Sequence, residues 1–350
     1  MTDHSAAPLR ADVTVVVTAC AASAHLADVL TALGAQTRPP REVLVVDNRP
    51  ATSAIRPLLE RLGQPLPRYV AEDRRGLSRA RNAGLSAARG EVVAFTDDDV
   101  RPAADWLAEL TAPFADPAVA CTTGLITPVR VETDAERWFE EFGGYAKGDT
   151  ARRFTLASAR RDGLYPYRAG RFGSGANAAF RRGALLAVGG FDECLGAGTP
   201  ARGGEDLDIF LTMLQAGHTV VYQPSARIAH RSHPDYPGLR RQLFGYGVGL
   251  AAALTKRFVT CPSDREAMLR TGATAARYLL SPASPKNHGR TSTYPRALVA
   301  AEFLGVLLGP ASYLSSRLAR RLTHPGGERG SSVRAREHRE PEVGAGGGGP

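Results

Sequence analysis

Three consecutive carboxylates follow a short apolar run and are the first candidates for chemistry. Asp97, Asp98 and Asp99 come after Val92–Phe95 and one threonine. Adjacent carboxylates repel each other, so this position at the end of a buried strand is costly unless a cation neutralises them. A hard divalent cation does so with oxygen ligands and leaves room for substrate phosphates, and strand alternation would point Asp97 and Asp99 to one side. The alternative is an acidic turn that caps the next helix.

A second acidic group opens a predicted helix, in the sequence GGEDLD at residues 203–208. Acidic residues in a first turn interact favourably with the helix dipole, which is a sufficient structural explanation. However, Asp206, Ile209 and Phe210 are spaced i, i+3 and i+4, which predicts that Asp206 heads the apolar face. A carboxylate that faces inward at a helix start is a candidate general base, and Glu205 beside it would orient a substrate or a loop.

Three further groups are open to a functional or a purely structural interpretation. Asp47 ends the apolar run Val43–Val46, where an aspartate either forms a turn or accepts hydrogen bonds from a ribose or a base. Arg79 and Arg81 lie at the start of a helix and could contact a diphosphate, although arginine side chains are usually exposed. His230 could complete a metal site near the aspartates, although a lone histidine is more often an ordinary surface or core residue.

The elements that would position these residues alternate along the first half of the chain. Short apolar runs predict strands at residues 13–17, 43–46, 68–71 and 92–95, and helical spacing predicts helices between them. Runs without polar alternation are typical of strands buried on both faces, as in parallel sheets covered by helices. We therefore predict an open α/β domain that binds its ligands beyond the carboxyl ends of the strands.

Beyond residue 122 the pattern is weaker. Residues 132–171 have no clear period, and residues 172–179 are rich in glycine and alanine. The pattern then predicts helices at 181–188, 205–215 and 239–258, and extended pieces at 219–222 and 227–230. Ala297–Leu314 is apolar but short for a membrane span, so it either packs on the body or lies in the membrane interface beside the arginines that follow it. The composition of residues 323–350 predicts a disordered tail.

Composition excludes several classes of protein. The 350 residues carry a formal net charge of +9, and nearly all of the positive charge comes from arginines. These arginines are scattered along the chain and do not form a basic stripe, so nucleic-acid binding is disfavoured. The four cysteines stand far apart, which argues against a disulfide framework. The first eleven residues lack the apolar core of a signal peptide. We predict a cytoplasmic protein, with peripheral binding to the inner face of the plasma membrane as the alternative.

Together these motifs resemble those of family 2 glycosyltransferases with the GT-A fold, over about residues 13–322. The blocks that carry the resemblance are VLVVDN (43–48), GLSRARNAGL (76–85), VVAFTDDDV (92–100), GSGANAAFRRGALLAVGGFDE (173–193), GEDLDIFL (204–211) and IAHRSHP (228–234). The resemblance implies a Rossmann-like, mostly parallel sheet flanked by helices over residues 12–235. Residues 12–122 would bind the nucleotide sugar and residues 123–235 the acceptor, and a helical extension would follow over residues 236–322.

The resemblance also implies a role for each matching residue. Asp206, with Glu205 beside it, would be the catalytic base of an inverting single displacement that moves a sugar from a nucleotide-diphosphate sugar to an acceptor hydroxyl. The metal, Mg²⁺ or Mn²⁺, would be bound by Asp97, Asp99 and His230. The donor side would contain Asp47, Arg79, Arg81, Asn82, Asp97, Asp98 and Gly175.

Two departures from the family pattern concern the nucleotide. Thr18 is followed by alanine and cysteine where a polar or aromatic residue is common, and Asn48 stands where a second aspartate is frequent. The nucleotide and sugar are therefore left open, as is the acceptor, for which a lipid-linked glycan and a soluble natural product are the alternatives. A catalytically inactive nucleotide-binding homologue and a sugar nucleotidyltransferase are the competing functions. The retained carboxylates disfavour the first, and the Glu-Asp block disfavours the second.

Overall fold

The apolar runs and helical segments fold around a single sheet. The computed structural model describes residues 12–62, 67–161, 163–281 and 283–323. The strands are β1 (Val13–Ala19), β2 (Glu42–Asp47), β3 (Arg68–Ala71), β4 (Val92–Asp97), β5 (Val100–Pro102), β6 (Val119–Pro128), β7 (Arg152–Phe154), β8 (Asn177–Arg181) and β9 (Thr219–His230). The α-helices are α1 (Ala24–Gly34), α2 (Ile55–Leu62), α3 (Leu77–Ala87), α4 (Trp106–Thr111), α5 (Asp134–Phe142), α6 (Arg182–Ala187), α7 (Glu205–Gln215), α8 (Tyr236–Thr260), α9 (Pro262–Leu280) and α10 (Arg296–Thr323).

The sheet is mixed, and both predicted halves of the domain contribute to it. The strand order is β3-β2-β1-β4-β8-β6-β9-β5, with β7 paired against β9. The first four strands pair in parallel, whereas β8 runs antiparallel to both of its neighbours, β4 and β6. The predicted α/β class, with a sheet flanked by helices and further helices after it, is confirmed.

Both faces of the sheet are buried, as the apolar runs predict. Every residue of β1 is buried, with Val15 and Val17 in the cluster that includes α1 and α4, and Val16 in the cluster that includes α3 and α7. Full burial of one such side chain contributes about 1.5–3 kcal/mol relative to exposure. The carboxyl ends of the strands are therefore held firmly at one edge of the sheet.

Several elements were not apparent in the local sequence pattern. Strand β8 lies partly within the segment rich in glycine and alanine, and the two extended pieces predicted at 219–222 and 227–230 form the single strand β9. The segment without a clear period contains α5 and β7. Helix α5 starts at a capping box in which Thr133 and Glu136 each bond the backbone N–H of the other.

Helices α8 and α10 pack with their backbones in close contact. A Cβ atom on Gly247 would lie 2.0 Å from the carbonyl oxygen of Glu302, and one on Gly305 would lie 2.2 Å from that of Phe244. A larger side chain at either position would force the helices apart. The predicted apolar segment Ala297–Leu314 thus lies within α10 and packs on the body through its small residues.

The opposite face of α10 is apolar and exposed. It carries Val299, Phe303, Leu304, Leu307, Leu308, Leu314, Leu318 and Leu322. In the described part of the chain, Arg296–Leu322 is the one stretch long and apolar enough to cross a membrane, judged by length and composition. The predictions for residues 1–11 and for the tail fall outside the described residues, except that Thr323 ends α10.

Candidate active site

The ends of β4 and β9 bring two of the three aspartates to a histidine. Asp97 ends β4 and His230 ends β9, while β5 pairs with β9 so that Val100 stands opposite His230. One ligand atom from each of Asp97, Asp99 and His230 lies within 4.8 Å of the others. The structure thus brings the three predicted metal ligands together and leaves Asp98 outside the group; Asp98 and Asp99 lie in the turn between β4 and β5, so this turn and not strand alternation separates them.

The hydrogen bonding of His230 suits a metal ligand. Its Nδ1 lies 2.8 Å from the carbonyl oxygen of Arg231, and its Nε2 lies 3.4 Å from Asp99 Oδ1. In the tautomer with the proton on Nδ1, that atom donates to the carbonyl oxygen and Nε2 keeps a free lone pair. The ring also packs against Tyr145 at a centroid distance of 4.8 Å, which fixes its orientation. Two carboxylates and one imidazole form a donor set suited to Mn²⁺ or Mg²⁺.

The aspartates carry charge that their surroundings do not fully compensate. Burial, followed by the charges of Asp99 and Asp97, raises the pKa of Asp98 to about 7. Burial also raises the pKa of Asp99, and the neighbouring His230 partly opposes that shift. A divalent cation would favour the ionised forms of these carboxylates.

Arg81 connects the aspartates to the start of α7. The buried guanidinium donates from Nη1 to Glu205 Oε1 at 2.9 Å, and its Nη2 lies 3.8 Å from Asp97 Oδ1. Burial, followed by the charge of Asp206, raises the pKa of Glu205, and Arg81 opposes the shift. A Cβ atom on Gly175 would lie 2.8 Å from Arg81 Nη1, so a larger residue would displace the guanidinium. Glu205 is therefore held by the protein itself.

Asp206 faces a cleft rather than the core. Its Oδ2 accepts a hydrogen bond from the backbone N–H of Gly175 at 3.2 Å, and its Oδ1 accepts one from the backbone N–H of Leu207 at 2.8 Å. The cleft has a volume of about 410 Å³ and is also lined by Asp97 and His230. A carboxylate held by backbone donors at the wall of a cleft can accept a proton from a hydroxyl group bound there.

Exposure distinguishes Asp206 from its neighbours, and the place at the head of an apolar face that helical spacing predicts for it does not. Other elements cover most sides of α7, so Glu205 and Asp208 are both buried. Asp206 is the most exposed of the three carboxylates. Asp208 is 1% exposed and is paired with Lys256 at 2.6 Å and Arg257 at 3.3 Å, both from α8. Helical spacing does not distinguish a core carboxylate with buried partners from one that faces a cleft.

The first turn of α7 lies at the wall of the cleft because two glycines, Gly204 and Gly249, are in close contact. Gly204 has a φ of +85°, a conformation that other residues rarely adopt. A Cβ atom there would lie 2.2 Å from the carbonyl oxygen of Gly249 in α8. The close approach fixes the direction of the first turn of α7 and hence the position of Asp206.

Asp47 makes structural hydrogen bonds instead of facing the cleft. It is fully buried, and its carboxylate accepts hydrogen bonds from the Arg49 backbone N–H at 2.9 Å, the Tyr69 hydroxyl at 2.9 Å and the Ser53 hydroxyl. A ribose or a base would have to displace one of these donors to reach the carboxylate. The geometry therefore favours the turn-forming interpretation that the sequence left open.

Asn82 and Arg79 also lie outside the set of residues that line the cleft. The Asn82 amide donates to the Phe191 carbonyl oxygen at 2.8 Å and accepts from the Phe191 backbone N–H at 2.9 Å. Arg79 Nε lies 3.5 Å from Glu193 Oε2. Both side chains attach the segment after α6 to α3, so Arg81 is the one of the three that reaches the cleft.

The cleft also contains residues that sequence reasoning missed. Tyr145, Lys147, Gln242 and Tyr246 line it, and the Gln242 amide donates to the hydroxyl groups of Tyr145 at 3.0 Å and Tyr246 at 2.9 Å. Burial lowers the pKa of Lys147, and the charge of Asp206 is the larger of the two that oppose this shift. The available signal was rarity, since Lys147 is one of three lysines in the chain.

Comparison with known proteins identifies the family. Residues 14–189 match the family model described as glycosyl transferase family 2. The succinoglycan biosynthesis protein ExoM of Rhizobium meliloti (strain 1021) is 30% identical, with 86% of this chain and 87% of that protein covered. The chain belongs to glycosyl transferase family 2.

Two other similarities are more limited. The pre-mycofactocin glycosyltransferase of Mycobacterium tuberculosis (strain ATCC 25618 / H37Rv) is 31% identical, but the match covers 45% of this chain and only 30% of that protein. The solved mannosyltransferase PcManGT from Pyrobaculum calidifontis, in complex with GDP-Man and Mn²⁺, aligns with a TM-score of 0.52 and 22% identity over 90% of this chain and 82% of its own. At that identity the likeness shows a shared fold.

Proposed function

We propose that this family 2 member transfers a sugar from a nucleotide-diphosphate sugar to an acceptor hydroxyl, with inversion at the anomeric carbon. One observation carries the proposal: Asp206 faces the same cleft as Asp97 and His230, two members of the candidate metal triad. The family membership supports it, as does the fold shared with a mannosyltransferase solved with GDP-Man and Mn²⁺.

The metal site consists of Asp97, Asp99 and His230 in this proposal. Their oxygen and imidazole donors fit Mn²⁺ or Mg²⁺, and the raised pKa values of Asp98 and Asp99 are a physical reason for a cation here. When bound, the ion would offset negative charge on the departing diphosphate. Arg81, Asp98 and Gly175 complete the donor side.

Asp206 is the general base in a single displacement. The acceptor oxygen forms its bond to the anomeric carbon while the bond from that carbon to the diphosphate oxygen breaks, and the electron pair leaves with the nucleoside diphosphate. The acceptor proton passes to Asp206, which the N–H groups of Gly175 and Leu207 hold in place. Glu205 is a positioning residue, because it ties α7 to Arg81.

The remaining residues predicted for the donor side lie outside the cleft and stabilise the segments around it. Asp47 shapes the turn after β2, while Asn82 and Arg79 hold the segment after α6. Two features support this activity over the competing ones: the carboxylates retained in one cleft argue against an inactive homologue, and the Glu205–Asp206 pair argues against a nucleotidyltransferase.

We also propose residues 12–235 as the catalytic domain and residues 236–322 as an extension that holds it peripherally at the cytoplasmic face of the membrane. Helix α8 packs on α10 with one part of its surface and lines the cleft with Gln242 and Tyr246. Helix α10 therefore lies along the body, and its exposed face, which includes Leu304 and Leu307, would lie in the membrane interface. A lipid-linked glycan is accordingly the acceptor class we propose over a soluble natural product.

The test is thermal stability against UDP, GDP, dTDP and CDP, each with and without Mn²⁺. A nucleotide at 100 times its Kd should stabilise the folded state by about 2.7 kcal/mol. We expect one nucleotide to respond only with the metal, and Asp99→Ala to abolish that response. The matched control is Asp105→Ala, because Asp105 is exposed near the same segment and makes no capping hydrogen bond. A response to Mn²⁺ that persists in Asp99→Ala would contradict the metal assignment.

A further inference from the structure

A second cavity lies next to the exposed face of α10 and has a volume of about 670 Å³. It is enclosed by the end of α9, the loop that follows and the first turns of α10. Leu280, Val299, Phe303 and Val306 supply apolar wall, whereas Lys286 and Arg290 supply cationic groups. The volume is that of a typical small-molecule site, and the lining has one apolar and one cationic part.

The cationic part carries more positive charge than its buried partner neutralises. Glu302 is buried and pairs with Lys286 at 2.6 Å and with Arg290 at 3.3 Å, and among the described residues no other carboxylate forms an ion pair with either cation. Burial lowers the pKa of Lys286 even though Glu302 opposes the shift. An anion in the cavity would stabilise the surplus charge.

Two hydrogen-bond donors in this cavity have no acceptor in the described part of the chain. Tyr294 is 7% exposed and its hydroxyl is unpartnered, as is the buried Nε of Arg290. Buried donors without an acceptor cost free energy and are uncommon in folded proteins. Both donors belong to residues that line the cavity, and a phosphate group offers several acceptor oxygens for such a set.

The apolar part continues out of the cavity along the membrane-facing side of α10. Val299 and Phe303 line the cavity and are also exposed, and Leu307 follows Phe303 by one helical turn on the same face. A ligand with a phosphate head in the cavity could therefore place an alkyl chain along these side chains.

We propose that this cavity binds the head group of an anionic membrane phospholipid, whose acyl chain lies along the exposed face of α10. The inference rests on the proposed membrane placement of α10 and adds a specific lipid site to it. Phe142 separates this site from the cleft, because its ring lies 5.0 Å from Lys286 Nζ and it also lines the cleft. A bound lipid would thus hold the cleft close to the membrane surface.

The experiment is flotation of the full chain with vesicles of phosphatidylcholine alone and with added phosphatidylglycerol. We expect phosphatidylglycerol to strengthen binding, and Arg290→Gln to weaken binding to those vesicles about tenfold by removing a charge-assisted contact. Tyr294→Phe removes only an unpartnered hydroxyl, so it should fold normally and weaken binding about fivefold. Arg270→Gln is the matched control, because it removes an arginine that is 67% exposed on α9 outside the cavity.

The outcomes separate the lipid site from the other proposals. Equal losses in Arg290→Gln and Arg270→Gln, or binding unaffected by phosphatidylglycerol, would overturn the head-group site. The double variant Leu304→Ser and Leu307→Ser tests the exposed face of α10 by itself, and we expect this variant to lose flotation. Short-chain phosphatidylglycerol and inorganic phosphate distinguish the source of the anion, and equal affinity for both would overturn the lipid assignment. The nucleotide response with Mn²⁺ should persist in every one of these variants, and its absence from the unaltered chain would count against the proposed enzyme instead.

Discussion

Replacement of Arg81 by glutamine tests the connection between the metal side and the base side of the cleft. The side chains of Arg81 and Glu205 are 3% and 8% exposed, and their charged atoms lie 2.9 Å apart. Loss of one partner leaves the other charge buried and unpaired, which costs about 3–5 kcal/mol. Arg79 lies two residues earlier on the same helix and is 3.5 Å from Glu193. The side chains of these two residues are 20% and 19% exposed. Arg79→Gln should therefore cost only about 0–1 kcal/mol.

The loss in Arg81→Gln should depend on pH in a defined direction. Without the arginine, burial and the charge of Asp206 still raise the pKa of Glu205 in the folded state above its value in the unfolded state. Such a group contributes stability below its unfolded pKa and loses it as the pH rises through the folded pKa. The pKa of Glu205 is already about 7 with Arg81 present, so the deficit of the variant should shrink as the pH falls from about 9 to about 7, by up to roughly 1.4 kcal/mol per pH unit, and change little below pH 7.

Urea unfolding of the unaltered chain, Arg81→Gln and Arg79→Gln across this pH range measures both effects. Glu205→Gln combined with Arg81→Gln should remove the pH dependence, because the titrating group is absent. Equal losses for the two arginine variants, or a deficit in Arg81→Gln that stays constant with pH, would refute the argument that Arg81 compensates a buried carboxylate.

Three further predictions concern the same site. Asp206→Asn should lower the transfer rate about 10²- to 10⁴-fold while metal-dependent nucleotide binding persists, and loss of nucleotide binding would mean a structural role. Asp98→Asn should stabilise the metal-free chain by about 1–2 kcal/mol above pH 7, where the raised pKa of the native aspartate makes it costly, and the gain should vanish near pH 4 in urea unfolding. Gly249→Ala places a Cβ atom 2.7 Å from the backbone of Gly203, so we expect about 1–3 kcal/mol of destabilisation and slower transfer, and an unchanged rate would show that α8 does not position α7.

Much of the first half of the fold was predictable because its signals are local. Short apolar runs such as the one before Asp97 encode strands buried on both faces, and the carboxyl ends of parallel strands must meet at one edge. Strand alternation was the basis for assigning Asp97 and Asp99 to one side, and the family resemblance was the basis for linking them to His230. The sequence pattern is weaker in the second half of the chain and does not reveal β8. This strand is inserted between β4 and β6, so its position depends on residues distant in sequence.

The sequence by itself determined the α/β class, the family resemblance and the residue types able to bind a metal or accept a proton. The tertiary structure decided which of them face the cleft, because exposure depends on what packs against each side chain. Asp47 and Asn82 are occupied by hydrogen bonds to the backbone and to nearby hydroxyl groups, and Asp208 by cations from α8. Lys147 lines the cleft although its segment has no hydrophobic periodicity. Long-range packing places it there, whereas periodicity reflects only local packing.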